Sequence, residues 1–307
     1  PTGEGAGFNS GSDGTLYGEG ATALVLKRLD DAERDGDTVY AVIKGLGAAS
    51  QSGVDTPVAD HACRVALERA FQEAHCDTTS VSYVETQGSG IDAEDHCEAA
   101  ALAAAYAHTD AGGDVQHCYI GSAKNDIGHT GAAAGLASVL KAVLCLHHEI
   151  IPPLRRVSSP LDALTEGDSR LWAPDAPQYW IHDDATGPRR AAVSALSFNG
   201  NATHVVLEAA PHTPASARCP QPLGDRTEAL FVAGAESAAA LTRVLDTLKA
   251  TVQQDHDSPI EALARAWWRS HPLKSTNGQR HVSLIARSVS ELLEQIAFVQ
   301  DSLEKQP

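Results

Sequence analysis

Methionine is absent from all 307 residues, and residue 1 is Pro1. A translation product begins with Met and a chain this long ordinarily holds several more. The sequence is therefore expected to be a fragment, a domain cut from a longer chain, or one with pieces lost. Basic residues are scarce: Lys+Arg 23 against Asp+Glu 40 gives a formal charge of −17. Such a surface repels phosphate backbones and anionic lipid, so neither nucleic acid nor a membrane is an expected partner. Paired metal-ligand spacings are lacking too. The six cysteines are Cys63, Cys76, Cys97, Cys118, Cys145 and Cys219, with no CxxC among them. Three follow a histidine at equal intervals (His75, His96, His117), but their surroundings share nothing, so neither a repeat nor a metal site is expected. Scattered single thiols read as reduced and cytoplasmic. Long apolar runs are missing as well. Gly131 to Leu146, the most apolar stretch, is interrupted by Lys141 and is short for a bilayer. No charged-then-apolar leader opens the chain, so secretion is not expected.

What remains is an ordinary globular balance, 43% hydrophobic and 21% charged, with room for about two domains. Residues 22–29 and 39–46 read as strands joined by a polar connection. A helix is expected from residue 55 to about 75, with Cys63, Leu67, Ala70, Phe71 and Ala74 on its apolar stripe. A short strand at 81–85 runs into the turn QGSG. Asp95 then reads as a helix N-cap, with Glu98 three residues on as its capping-box partner. Residues 118–121 form another strand. The segment 129–148 reads as a helix apolar nearly all round and so buried on most faces. Residues 191–197 and 203–209 read as strands around a tight loop. Alternating strands and helices imply a layered α/β fold. Four prolines mark a boundary at 211–227. Beyond it the pattern restarts as strand 229–234, helices 237–254 and 259–269, strand 281–286 and helix 290–303.

The strongest chemical signal is Gly121 to Thr130, GSAKNDIGHT. A strand leads through a glycine turn into the apolar helix, placing His129 at the helix start with Lys124 close by. The positive helix end disfavours imidazolium, and a neutral His there can donate to a carbonyl or a developing oxyanion. Alternatively, His129 merely caps the helix and Lys124 is a solvated charge.

KNDIGHTGAAAG resembles the KSNIGHTEAAAG motif of β-ketoacyl synthases, the condensing enzymes of polyketide and fatty-acid synthases. Further matches follow in order. DGTLYGEGA at 13–21 resembles DGYVRGEGA, VETQGSG at 84–90 resembles VEAHGTG, SALSFNGNATH at 194–204 resembles SSFGFGGTNAH, and Ile151-Pro152-Pro153 matches the family's IPP. The variants ETQGSG, AEDHCE and NGNATH are closer to iterative synthases of the polyunsaturated-fatty-acid and glycolipid type.

The resemblance covers about residues 1–210 and implies a thiolase-like α/β fold, five-layered when complete. Residues 211–307 are similar to the small α/β linker between ketosynthase and acyltransferase. In such enzymes a decarboxylative Claisen condensation joins an acyl-Cys intermediate to a carrier-bound malonyl unit. No metal or other cofactor is implied, because substrates ride on the phosphopantetheine of an acyl carrier protein. His129, Lys124 and Gln87 are the implied catalytic positions. Phe198, Asn199, Gly200 and Thr130 are the implied gating and substrate-binding ones. The implied partners are the carrier protein, the other ketosynthase half in cis or trans, and a second copy in a homodimer or ketosynthase-type heterodimer. Arg155-Arg156 and Arg189-Arg190 are the basic clusters that could meet an acidic carrier.

Two departures qualify this. The DTACSS-type segment bearing the nucleophilic Cys has no counterpart here, so residues 22–29 are expected to pair with an absent half and the fragment not to fold stably alone. Gln87 stands where the family has its first active-site His, and an amide has no titratable nitrogen. A condensing enzyme and a non-elongating, chain-length-factor-like binder of acyl chains therefore both remain open. A degradative thiolase is disfavoured, because thiolases lack the GEGA and NIGHT patterns.

Overall fold

The structure, a computed structural model, describes residues 5–51, 60–107, 117–165, 169–182, 186–197, 199–210, 228–255, 258–271 and 280–305. These fall into two compact units, Pro1–Cys219 and Pro220–Pro307. The expected boundary at 210/211 adjoins residues outside the described ones.

Unit 1 begins with α1 (Leu29–Asp35), followed by β1 (Ala41–Ser50), α2 (Asp60–Ala74), β2 (Tyr83–Glu85), α3 (Asp92–Ala105) and β3 (Cys118–Gly121). Then come α4 (Ala123–Ile127), α5 (Ala134–His148), β4 (Ile150–Ile151), α6 (Asp162–Thr165), β5 (Leu171–Trp172) and β6 (Gln178–Tyr179). The long hairpin of β7 (Arg190–Leu196) and β8 (Asn201–Ala209) closes the unit. Among the described residues one mixed sheet has the strand order β1-β8-β7-β2-β3-β5. Its β7, β2, β3 and β5 neighbours are parallel, whereas β1, β8 and β7 are antiparallel. Side chains alternate across it. Val84, Ala192 and Val206 join Phe71 and Leu102 in one core, and Tyr83, Ala191, Val193 and Leu207 join Ala142, Cys145 and Leu146 of α5 in another.

Several expectations are corrected. Residues 22–28 form no strand and Val25 is fully exposed, because no neighbouring strand among the described residues offers ladder partners. The polar connection 30–37 is mostly helix. Asp30 and Asp31 occupy the first turn of α1, Arg34 the last, and Gly36 closes it at φ 73°. The start expected for α2 lies outside the described residues. Its seam runs along Ala62, Ala66, Ala70 and Ala74, leaving Cys63 and Leu67 half-buried. The reason is β1: a Cβ at Gly47 would stand 1.8 Å from the Ala66 carbonyl oxygen, so helix and strand touch backbone to backbone. Finally, α5 is not buried on most faces. It packs on β2, β7 and β8, but Leu136, Leu140 and Leu144 line an exposed stripe. Gly131–His148 is long and apolar enough to cross a membrane by length and composition, yet Lys141 within it is ion-paired to Glu85.

Unit 2 follows its sequence pattern closely. An antiparallel pair, β9 (Ala229–Ala235) and β10 (Arg280–Ala286), packs with α7 (Ala238–Gln254), α8 (Ile260–Ser270) and α9 (Val289–Lys305). Ser237 caps α7 by accepting from the Ala240 N–H at 3.2 Å. Leu241, Leu245, Leu248 and Val252 then bury one helical face.

Candidate active site

The parallel strands β2 and β3 end side by side; the loop after β2 carries Gln87, and α4, which follows β3, carries Lys124. Both side chains are buried. The Lys124 ammonium donates to the Gln87 backbone oxygen at 2.6 Å and to its Oε1 at 3.0 Å. Leu196 N–H, from the end of β7, donates to the same Oε1 at 3.3 Å. Two donors face that oxygen, so the amide orientation is fixed and the Gln87 NH2 is directed away from them.

The loop after β2 turns sharply, with Gly88 at φ 45° and Gly90 at φ 79°. Its amides are satisfied from α3. Glu98 accepts from Gln87 N–H at 2.8 Å and Gly88 N–H at 2.9 Å. Asp95 accepts from Ser89 N–H at 2.7 Å, Gly90 N–H at 3.1 Å and Phe8 N–H at 2.9 Å. Here the capping-box reading fails. The helix starts at Asp92, so Asp95 and Glu98, three residues apart on one face, cap the loop instead of the helix. Burial raises the Asp95 carboxyl against these backbone bonds. Burial likewise raises Glu98, to about 7, opposed by its two backbone donors. Burial lowers the Lys124 ammonium, and the Glu98 and Glu85 carboxylates oppose that.

His129 is not at a helix start. It lies between α4 and a 3-10 turn at Gly131–Ala133, with α5 beginning at Ala134. Segment 16–18 holds it in place: His129 N–H donates to the Leu16 oxygen at 2.7 Å, and Gly18 N–H donates to the His129 oxygen at 3.2 Å. Its Nδ1 accepts from Gly131 N–H at 3.1 Å, so the neutral ring carries its proton on Nε2. Burial lowers its pKa, and the Lys124 cation adds to that effect. The expected neutral imidazole thus has a different cause from a helix dipole. Thr130 follows, its buried Oγ1 having no hydrogen-bond partner among the described residues. A cleft lined by Thr15, Tyr17, Gly18, Ile91, His129 and Thr130 opens here.

Gln87 and Lys124 are therefore brought together, with His129 within electrostatic reach. Asn199 and Gly200 sit in the β7–β8 turn, where Gly200 N–H donates to the Ser197 oxygen and Gln51 N–H donates to the Gly200 oxygen. No described hydrogen bond joins them to Gln87, Lys124 or His129. Phe198 lies outside the described residues. Burial raises the Cys118 and Cys145 thiols to about 12, so neither is an activated nucleophile. No group of three or more potential metal ligands occurs among the described residues. The basic pairs differ from expectation: Arg189 reaches Glu149 at 3.2 Å and Arg190 reaches Glu208 at 2.8 Å, so both are engaged. The sequence reading overlooked Glu85, Asp95 and Glu98 as parts of the site. Carboxylates at i, i+3 in an alanine-rich helix were the available signal.

Residues 40–158 match the family described as "Beta-ketoacyl synthase, C-terminal domain". Over 305 residues the chain is 34% identical to the phthioceranic/hydroxyphthioceranic acid synthase of Mycobacterium tuberculosis, covering 98% of this chain and 14% of that protein. It is 35% identical over 274 residues to polyketide synthase PksL of Bacillus subtilis, covering 86% of this chain and 6% of that one. Among solved structures, the ketosynthase from module 6 of the bacillaene synthase of Bacillus subtilis 168 superposes with a TM-score of 0.62 at 30% identity. That match covers 98% of this chain and 50% of the ketosynthase. The chain thus spans a small part of the curated relatives and half of the solved ketosynthase. Its mixed sheet, its Gln87, Lys124 and His129, and these likenesses agree: the chain belongs to the β-ketoacyl synthase family, as a C-terminal ketosynthase part of the polyketide-synthase type with a thiolase-like α/β fold.

Proposed function

We propose that this chain supplies the malonyl-handling side of a condensing site. One observation carries the reading: Gln87 and Lys124 meet at the ends of β2 and β3 with the Gln87 NH2 turned away from the lysine, and a neutral His129, its proton on Nε2, lies within electrostatic reach of Lys124. In the reaction the malonyl C–C bond to its carboxylate breaks and CO2 leaves. The electron pair passes to an enolate thioester, whose oxygen the two donors, the Gln87 NH2 and the His129 Nε2–H, stabilise. The enolate carbon then attacks the acyl carbonyl, and a cysteine thiolate departs. That cysteine comes from a preceding ketosynthase half, which also covers the Leu136, Leu140 and Leu144 stripe; the twofold length of the solved ketosynthase supports this. Unit 2 is the ketosynthase–acyltransferase linker. The partners are an acyl carrier protein, docking near exposed Arg155 and Arg156, and a second copy in a cytoplasmic homodimer. Thr130 Oγ1 binds substrate, and no cofactor beyond the carrier's phosphopantetheine takes part.

Gln87 also supports a second reading. An amide donates a hydrogen bond but cannot hold a mobile proton, so the domain accepts and passes acyl chains while condensing slowly. The loss of one oxyanion donor typically costs ~10²–10³ in rate, and the oriented NH2 of Gln87 recovers part of that. The deciding assay is malonyl-carrier decarboxylation and chain extension by the complete ketosynthase, wild type against Gln87→His. The impaired reading expects a gain of about tenfold or more. Efficient extension by the wild type with no gain would establish Gln87 as a competent substitute.

A further inference from the structure

Glu85 has no part in the chemistry just described, yet it is fully buried two residues before Gln87. Strand pairing fixes its backbone, opposite Gly121 of β3 on one side and Val193 of β7 on the other. One carboxylate oxygen accepts the Ala123 N–H, immediately before Lys124. The other accepts from the Tyr83 hydroxyl at 2.5 Å and lies 3.2 Å from the Lys141 ammonium. Lys141 is the one Lys, Arg, Asp or Glu along α5, the helix that follows His129. Its ammonium also lies 3.3 Å from Asp126, which in turn lies 3.7 Å from Arg155. Burial by itself would lower the Lys141 pKa, but the Glu85 and Asp126 carboxylates outweigh it and hold the ammonium charged. The backbone at 121 is adapted to this arrangement. A Cβ there would stand 2.1 Å from the Tyr83 hydroxyl and 2.7 Å from the Glu85 carboxylate, so only glycine admits it.

We propose that Glu85, paired with Lys141, is a positioning residue that clamps together the three segments bearing Gln87, Lys124 and His129. The inference rests on the ketosynthase reading for its catalytic consequence, and on contacts alone for the clamp. A carboxylate joining β2, the start of α4 and the middle of α5 sets the spacing between the two donors and the lysine. Displacement by about 1 Å from a change outside the reacting centre can cost on the order of 10²-fold in rate.

The test uses the complete ketosynthase carrying Glu85→Gln, Lys141→Met or both. Glu85→Gln is expected to lower kcat for malonyl-carrier decarboxylation about 10- to 100-fold while KM changes less than about threefold. Lys141→Met leaves the buried Glu85 without its cation, and Glu85→Gln leaves Lys141 with Asp126 alone, so the double variant is expected to lose less than the product of the single losses. Hydrogen exchange should quicken at 86–90 and 122–131 in Glu85→Gln and stay unchanged at 228–305. A kcat within twofold of wild type, or losses that multiply in the double variant, overturns the proposal. If Glu85→Gln does not fold, the double variant decides: a slowed step supports the clamp and a wild-type kcat refutes it. A wild type without any decarboxylation counts against the ketosynthase reading instead, and local exchange alone then decides the clamp.

Discussion

The two units bury different things. Unit 2 closes on an aliphatic and aromatic cluster built by Leu241, Leu245, Leu248, Phe231, Trp267, Leu292 and Ile296. Unit 1 buries Glu85, Asp95, Glu98, Lys124 and His204 among its apolar residues. A charge withdrawn from water costs free energy unless it is paired and hydrogen-bonded. The four carboxylate and ammonium groups meet that condition through partners on other elements, whereas His204 is held neutral by burial with its Nδ1 beside the Ser194 hydroxyl. Glu98 and Asp95 receive loop amides, Lys124 donates to Gln87, and Glu85 meets Lys141. Among its described residues unit 2 buries Glu261, which pairs with Arg265 on the same helix, and the rest of its buried side chains are apolar or aromatic. The contrast locates the chemistry: apolar burial stabilises both units, whereas buried ionic contacts fix loop positions in one.

The largest expected effect tests the apolar side of this contrast. Trp267 is 1% exposed and donates from Nε1 to the Val232 oxygen at 2.8 Å. Trp267→Ala should cost unit 2 about 3–5 kcal/mol, seen as faster hydrogen exchange over 228–305, with malonyl-carrier decarboxylation unaltered. An equal loss of exchange protection at 86–90 would break the separation of the two cores.

The next effect belongs to the polar side. His204 is fully buried, with Nδ1 2.9 Å from the Ser194 hydroxyl, and burial pushes its pKa down to about 4. The unfolded chain takes up that proton near 6.5, the folded one only near 4, so the unfolded state binds more protons between these values. Stability is thus fully present above about pH 6.5 and falls as pH drops towards 4, by roughly 3 kcal/mol from this group. His204→Leu should flatten that slope in urea midpoints of the complete ketosynthase measured from pH 4.5 to 7. An unchanged slope would remove His204 from the account.

The smallest effect is at the surface. Arg156 is exposed, and Arg155 keeps only a loose 3.7 Å contact with Asp126. Reversing both to Glu should slow association with an acidic carrier roughly tenfold at low salt and weaken its salt dependence. Unchanged association would move the docking surface elsewhere.

Legibility followed the same division. The helices of unit 2 and the β7–β8 hairpin were readable because their signals are local: apolar spacing, a Ser cap, a tight turn. The α2 helix was readable in kind, but its seam was not, because Gly45 and Gly47 of β1 select the Ala62–Ala74 line over Cys63 and Leu67. Residues 22–28 have strand-forming side chains but no ladder, since propensity needs a neighbour to act on. The short helix over 30–37 was missed although its acidic first turn and closing Gly36 were there to be read.

The sequence by itself determined the family, the main strands and helices from residue 39 onward and the identities of Gln87, Lys124 and His129, because ordered motifs and short-range periodicity are properties of the chain. Tertiary structure decided what those residues can do. It turned the Gln87 oxygen toward Lys124 and Leu196 and set Asp95 and Glu98 under the loop instead of at a helix end. It also joined Glu85 to Lys141 across 56 residues of chain. Hydrogen-bond direction and the pairing of buried charge depend on which groups meet in a low-dielectric interior, and only the folded chain brings those groups within reach of one another.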